Sequence, residues 1–289
     1  MKPCSYHRII PRLDIKGPNL VKGIHLEGLR VLGKPADFAR FYSESGADEL
    51  LYMDVVASLY GRNSLHDLIS ETARQIFVPL TVGGGLRTLD DISTVLRAGA
   101  DKVSLNTAAI RNPEIIREAA QAFGSSTIVV AIEAVRQPDG TYLACTDNGR
   151  EQTDVEVFEW AGQAEGLGAG EILLTSVDRE GTGSGFDLDL IRQVSMQASI
   201  PVIAHGGAGS GRHVVEAIRE GAADAVAVAS MFHYAALANT GVSEISAAEG
   251  NTEFLRSRKG VTYLEPLSIE ALKSFITSQG IACRNENGR

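Results

Sequence analysis

The chain has 289 residues, of which 44% are hydrophobic and 22% charged, with 27 Lys and Arg against 36 Asp and Glu for a formal net charge of −9. These are globular proportions, and no apolar run approaches the ~18 residues that a membrane-spanning helix needs. The acidic balance argues against a broad nucleic-acid surface but leaves room for local basic pockets around a small phosphorylated molecule.

From the N-terminus, "MKPCSYHRIIPRLDIK" carries Pro, His and Arg where a secretion signal needs an unbroken apolar stretch, so the expected location is cytoplasmic. Short apolar runs then recur near residues 7–14, 48–55, 78–83, 101–105, 127–133, 170–176, 201–204 and 223–228, each reading as a buried strand. Helix-patterned stretches such as "KPADFARFYSESG", "TLDDISTVLRAG", "NPEIIREAAQAFG" and "GRHVVEAIREG" alternate with them, often ending at a Gly. Alternation of this kind implies parallel strands joined by right-handed crossovers. Eight such units are expected to close as an α/β (β/α)8 barrel, a single domain over 1–289, with rim insertions near 136–153 and 236–266. The first insertion reads as a small hairpin.

The sequence also repeats itself. "LTVGGGLRTLDDISTVLRAGADKVSLNTAAI" returns in outline as "PVIAHGGAGSGRHVVEAIREGAADAVAVASMF", and "GADELLYMD" returns as "GAGEILLTSVD". Gly46 and Gly168 are 122 residues apart, and Gly83 and Gly206 are 123 apart. That offset spans four β/α units, so the barrel reads as two related halves, and a feature of one half has a counterpart in the other.

Glycines at strand C-terminal ends let backbone N–H groups approach an anion. The first half offers Gly83, Gly84 and Gly85 followed by Asn106 and Thr107, and the second offers Gly206, Gly207 and Gly209 followed by Ala229 and Ser230. Either loop alone would serve as a tight β/α turn; the duplicated pairing favours two phosphate sites on opposite sides of one barrel mouth. "DREGTGSG", Asp178 to Gly185, suits a lid or the second phosphate site.

Carboxylates end several predicted strands: Asp14, Asp54, Glu133 and Asp178. A lone one is as well explained by helix or loop capping. Asp14 and Glu133 follow apolar runs on strands 1 and 5, which face each other across an eight-stranded barrel, and this arrangement suits general acid–base catalysis. The sequence does not say which is the acid. Lys22 in "LVKG" lies on the predicted loop after strand 1, as a phosphate clamp or a surface charge. At the opposite end, Arg8, Glu49, Lys102 and Glu171 begin strands 1, 2, 4 and 6, forming either a salt-bridge ring that closes the barrel or a gate for a small neutral molecule. The six histidines include no metal-ligand pair, and the three cysteines Cys4, Cys145 and Cys283 include no C-x-x-C; neither a metal nor a cofactor is expected.

"RIIPRLDIK", "LVKG", "DELLYMDVVAS", "PLTVGGGLR", "GADKVSLNTAA", "GAGEILLTSVDREGT" and "GGAG" resemble, in order, the motifs of the cyclase subunit family of imidazole glycerol phosphate synthase, HisF. The resemblance covers nearly all of residues 6–234 and the final helix. It implies that ammonia from a glutaminase partner (HisH-like), docked at the N-terminal face of the barrel, converts the bis-phosphorylated substrate PRFAR to imidazole glycerol phosphate and AICAR. It implies catalytic roles for Asp14 and Glu133 and substrate or phosphate contacts for Lys22, Gly85, Asn106, Thr107, Thr175, Glu180, Gly181, Gly206, Gly207, Ala229 and Ser230. The ring of Arg8, Glu49, Lys102 and Glu171 corresponds to the family's ammonia gate. Glu133 and Glu180 stand where the family pattern has Asp, and His205 stands where it has a small residue. Related alternatives are a HisF-like paralogue acting on another phosphorylated or nucleotide-linked sugar in surface-polysaccharide synthesis, a non-catalytic glutaminase activator, and the sister isomerase.

Overall fold

In the computed structural model, residues 6–56, 66–239 and 264–284 are described. Eight parallel strands close a barrel: β1 (Arg8–Lys16), β4 (Leu50–Asp54), β5 (Leu80–Gly83), β6 (Lys102–Leu105), β7 (Ile128–Arg136), β10 (Glu171–Ser176), β11 (Val202–His205) and β12 (Ala225–Val228). They pair in that order, β10 beside β7 and β12 returning to β1. The (β/α)8 barrel expected from the alternation is therefore the fold.

Two antiparallel hairpins stand on its mouth. One, β2 (Asn19–Ile24) and β3 (Glu27–Gly33), grows from β1; the other, β8 (Tyr142–Thr146) and β9 (Glu151–Glu156), grows from β7. The second is the expected rim hairpin. The first corrects the sequence reading, which has Lys22 on a loop: Lys22 is a residue of β2. Its turn places His25 and Leu26 in the left-handed region, at φ 51° and 61°. Such a turn is usually announced by Asn-Gly or Asp-Gly, and His-Leu gives no such signal. In the other hairpin Asp147 and Asn148 take φ 51° and 61°, and Asp147 follows His25 by 122 residues, so the repeat extends to the hairpins.

The outer layer comprises α1 (Pro35–Glu44), α2 (His66–Ala73), α3 (Leu89–Ala98), α4 (Thr107–Arg111), α5 (Glu114–Phe123), α6 (Val157–Gly166), α7 (Leu188–Gln197), α8 (Gly211–Arg219), α9 (Ser230–Asn239) and α10 (Ile269–Ser278). Local chemistry sets their ends. Thr88 and Asp91 form a reciprocal capping box at the start of α3, and Gly99 ends it at φ 118°. Most of the insertion read at 236–266 lies outside the described residues, as does Cys4.

Period-two alternation divides each strand between two cores. On β1, Ile9, Leu13 and Ile15 join Phe38, Ile92 and Leu190 in the layer under the helices. Ile10 joins Leu51, Val129, Leu173 and Ile203 in the barrel lumen. Each such fully buried side chain contributes about 1.5–3 kcal/mol. Tyr42 on α1 and Nδ1 of His233 on α9 share a 2.6 Å hydrogen bond that ties the first helix to the last β/α unit.

Candidate active site at the barrel mouth

The same alternation puts Arg8, Arg12 and Asp14 of β1 on the lumen side, over a rise of about 20 Å at ~3.3 Å per residue. At the N-terminal end, Arg8 Nη1 meets Glu49 Oε1 at 2.5 Å and Glu171 Oε1 at 2.9 Å. Lys102 Nζ meets Glu49 Oε2 at 3.1 Å and Glu171 Oε1 at 3.0 Å. The four residues form a closed ring of alternating charge, each cation shared by both carboxylates. Glu171 Oε2 is buried without a partner among the described residues.

Asp14 lies at the other end, where β1 leaves the barrel and pairs with Val21 of the first hairpin. Its Oδ1 accepts from Arg12 Nε at 2.8 Å, and its Oδ2 lies 4.0 Å from Lys22 Nζ. Burial opposes its charge, but the neighbouring Arg12 and Lys22 charges and the Arg12 hydrogen bond prevail and hold its carboxyl below the ordinary range. Lys22 also pairs with Glu180, whose Oε2 accepts from the Leu26 N–H at 3.0 Å. Glu180 thus clamps the first hairpin to the loop after β10.

Glu133 occupies the equivalent place on β7, paired with Cys145 of the second hairpin. Its Oε2 accepts from Asn106 Nδ2 at 3.0 Å and from the Gly149 N–H at 2.8 Å. Burial pushes its carboxyl up to about 7; Arg12 and the two donors pull the other way, and the Asp14 charge adds to the rise. Two carboxyl groups therefore share one mouth with opposite proton preferences near neutrality, which is what paired proton donor and acceptor roles require. Burial likewise pushes the Cys145 thiol up to about 11, so it is no nucleophile at neutral pH.

The glycine loops flank this pair. Gly85, Asn106, Thr107 and Glu133 line a cavity of about 240 Å³ together with Arg87 and Arg111. Across the mouth, Gly181, Gly206, Gly207, Ala229 and Ser230 wrap a narrow space of about 10 Å³. It adjoins a cavity of about 400 Å³ lined by Lys22, Arg30, Gly181, Ser230 and Tyr234. The glycines also meet a packing demand. Gly84 has φ 97° and a Cβ there would stand 2.2 Å from the Asp54 carbonyl oxygen; at Gly207, φ 105°, it would stand 2.1 Å from that of Gly185. The tight turns therefore require glycine, and the same absence of side chains leaves the backbone N–H groups open to an anion.

Thr175 lies apart from these loops, buried in the lumen, its Oγ1 3.3 Å from His205 Nδ1. Asp54 accepts from the Val56 N–H and also lines the first cavity, while Asp178 accepts from the Arg136 N–H. Sequence reasoning missed Arg12, Gly149, Arg30, Arg87 and Arg111. A signal existed for Arg12, a charge inside the apolar run "IIPRLD" two residues before Asp14. None existed for Gly149, which reaches Glu133 only through the hairpin turn.

A family model described as "Histidine biosynthesis protein" matches residues 8–238. Over 202 residues the chain is 58% identical to a Legionella pneumophila protein named imidazole glycerol phosphate synthase subunit HisF, covering 70% of this chain and 95% of that one. Over 226 residues it is 51% identical to the subunit of the same name from an Exiguobacterium species, covering 78% and 88%. With the barrel and its duplicated glycine loops, these matches lead to one conclusion: the chain belongs to the histidine biosynthesis protein family, on its HisF branch.

Proposed function

We propose that the chain is the cyclase subunit of an imidazole glycerol phosphate synthase, a lyase that uses ammonia to convert PRFAR to imidazole glycerol phosphate and AICAR. The observation that carries this reading is the opposed pair of Asp14 and Glu133, with unlike proton affinities, between two glycine-loop pockets. A substrate with a phosphate at each end has its ends in the two pockets and its reacting centre between the carboxylates. Arg87 and Arg111 serve one phosphate; Lys22 and Arg30 stand beside the loops for the other. When ammonia adds to the ribulosyl ketone, the oxygen needs a proton and the nitrogen must lose one. Glu133 is the donor and Asp14 the acceptor.

The ring of Arg8, Glu49, Lys102 and Glu171 acts in this reading as the gate through which ammonia enters the lumen. A glutaminase partner on the same face is supported by three exposed apolar side chains there. Among the described residues, Tyr6, Phe77 and Met196, which are 60%, 96% and 78% exposed, lie just before β1, β5 and β11, at the ring end of the barrel. Exposed large apolar side chains at that end suit a docked partner, while Ile24 on the mouth hairpin and Phe275 on α10 are the other two exposed among the described residues.

The test is to incubate the purified chain with PRFAR and an ammonium salt. Formation of imidazole glycerol phosphate and AICAR in equal amounts supports the proposal. No consumption of PRFAR, with a folded protein, overturns it and turns attention to other phosphorylated sugars.

A further inference from the structure

Arg12 is 1% exposed, yet it stands on a strand whose other lumen-facing neighbour toward the ring is Ile10. Its guanidinium donates from Nε to Asp14 and from Nη1 to His205 Nδ1 at 3.1 Å, with Thr175 Oγ1 at 3.5 Å. Thr175 is on β10 and His205 on β11, and β11 and β12 separate β10 from β1 in the sheet. At ~4.8 Å per strand step, the side chain spans most of the lumen. Small residues make room for it: Ala131 and Ala227 face the same interior. Because an arginine only donates, Nδ1 of His205 is the acceptor. His205 is neutral, driven well below its ordinary range first by burial and then by the Arg12 and Lys22 charges.

One arm of the fork remains. Arg12 Nη2 is buried with no partner among the described residues. A buried, unpaired donor on a charged group carries a desolvation cost that no hydrogen bond offsets. Carrying that cost is consistent with an acceptor that arrives only during turnover. Arg12 lies on β1 between Arg8 of the ring and Asp14 at the mouth, so an acceptor small enough to travel the lumen comes within reach of this arm.

We propose that Arg12 is a positioning residue of this site: it fixes Asp14 from within the barrel through Nε and leaves Nη2 to receive the lone pair of the nitrogen nucleophile rising from the ring. The inference rests on the cyclase reading and adds to it a station between gate and substrate. Nothing covalent happens at Arg12; ammonia accepts one hydrogen bond there and gives up a proton only later, to Asp14. Asp14 is faced by Arg12 from its own strand, Lys22 from β2, Glu133 from β7 and His233 from α9.

The experiment compares wild type, Arg12→Met and Arg12→Lys with PRFAR and ammonium. The expected result for Arg12→Met is a kcat lower by about 10²-fold and an ammonium KM raised about tenfold, with the PRFAR KM within about twofold of wild type. Arg12→Lys keeps the charge but not the fork. It is expected to keep Asp14 titrating as in wild type while the ammonium KM stays raised. A folded Arg12→Met with wild-type kcat and ammonium KM overturns the proposal; where that variant does not fold, an unchanged ammonium KM in Arg12→Lys overturns it. Carbon-13 titration of the Asp14 carboxyl needs no substrate. If wild type does not turn over PRFAR, the cyclase reading fails, and the Asp14 titration then decides the hold by Arg12: a shift to higher pH in Arg12→Met sustains it, and no shift overturns it.

Discussion

The backbone N–H of Gly149 donates to Glu133 Oε2 at 2.8 Å across 16 residues of chain, so the tip of one hairpin completes the environment of a carboxyl on the barrel wall. The tip is held in turn by its counterpart. Asn148 Nδ2 lies 3.4 Å from the Leu26 carbonyl oxygen, and a Cβ at Gly149 would stand 3.0 Å from Leu26 Cδ1. The two hairpins therefore meet above the mouth, and a disturbance at their meeting point is transmitted to Glu133.

Gly149→Ala tests this directly. Gly149 has φ 76°, which an Ala side chain strains, and the added methyl presses on Leu26 and Val177. The N–H is expected to withdraw from Glu133. Because that donor favours the charged form, its loss raises the carboxyl further, so the alkaline limb of the kcat/KM profile moves to higher pH while kcat falls about tenfold. An alkaline limb that stays in place contradicts the hairpin's role.

Glu133 also marks protein stability with a defined sign. Its carboxyl lies at about 7 in the folded chain against an ordinary 4.5. Between those values the folded state keeps a proton that the unfolded state has lost, so stability falls as pH rises through the window, by about 3 kcal/mol in all. Buried His205 and His233 act oppositely: each stays neutral when folded, His233 with its pKa lowered to about 3, and stability is lost as pH falls below about 6.5. Urea unfolding of wild type and Glu133→Gln at pH 4.5 to 8 isolates the carboxyl, since the histidine contributions cancel in the difference. The stability of wild type relative to the variant is expected to fall with pH, and a constant difference contradicts the assignment.

The ring makes a separate prediction. Lys102→Ala leaves Glu49 and Glu171 sharing Arg8 alone. With a glutaminase partner present, the glutamine-driven reaction is expected to change by about tenfold if the ring is the gate its ammonia passes, while the ammonium-driven reaction stays within about threefold. Equal effects on both reactions contradict a gate and leave the ring a structural closure.

Much of this was legible in the sequence for one physical reason: a strand in a barrel has only two faces. The runs ending in Asp14 and Glu133, the charges at Arg8, Glu49, Lys102 and Glu171, and the repeated glycine loops each fix a height along the axis by their position in a strand. The first hairpin was not legible, because its His25–Leu26 turn lacks the residues that usually mark one, and with it went the strand placement of Lys22. Arg12 shows a different limit. Its charge in an apolar run was visible, but its partners Thr175 and His205 lie 163 and 193 residues away and meet it only across the closed lumen. Two carboxylates alone do not distinguish a donor from an acceptor; the proposed roles rest on the Arg12 hydrogen bond and the Lys22 charge beside Asp14, against burial prevailing at Glu133.

The most direct test of the central claim is the pH dependence of kcat/KM for PRFAR at constant free ammonia, measured for wild type, Asp14→Asn and Glu133→Gln. The expected result is an alkaline limb near pH 7 in wild type, and a loss of at least about 10²-fold in each variant, with the limb absent from Glu133→Gln. Wild-type turnover in Glu133→Gln, or the same alkaline limb persisting in it, would contradict the account.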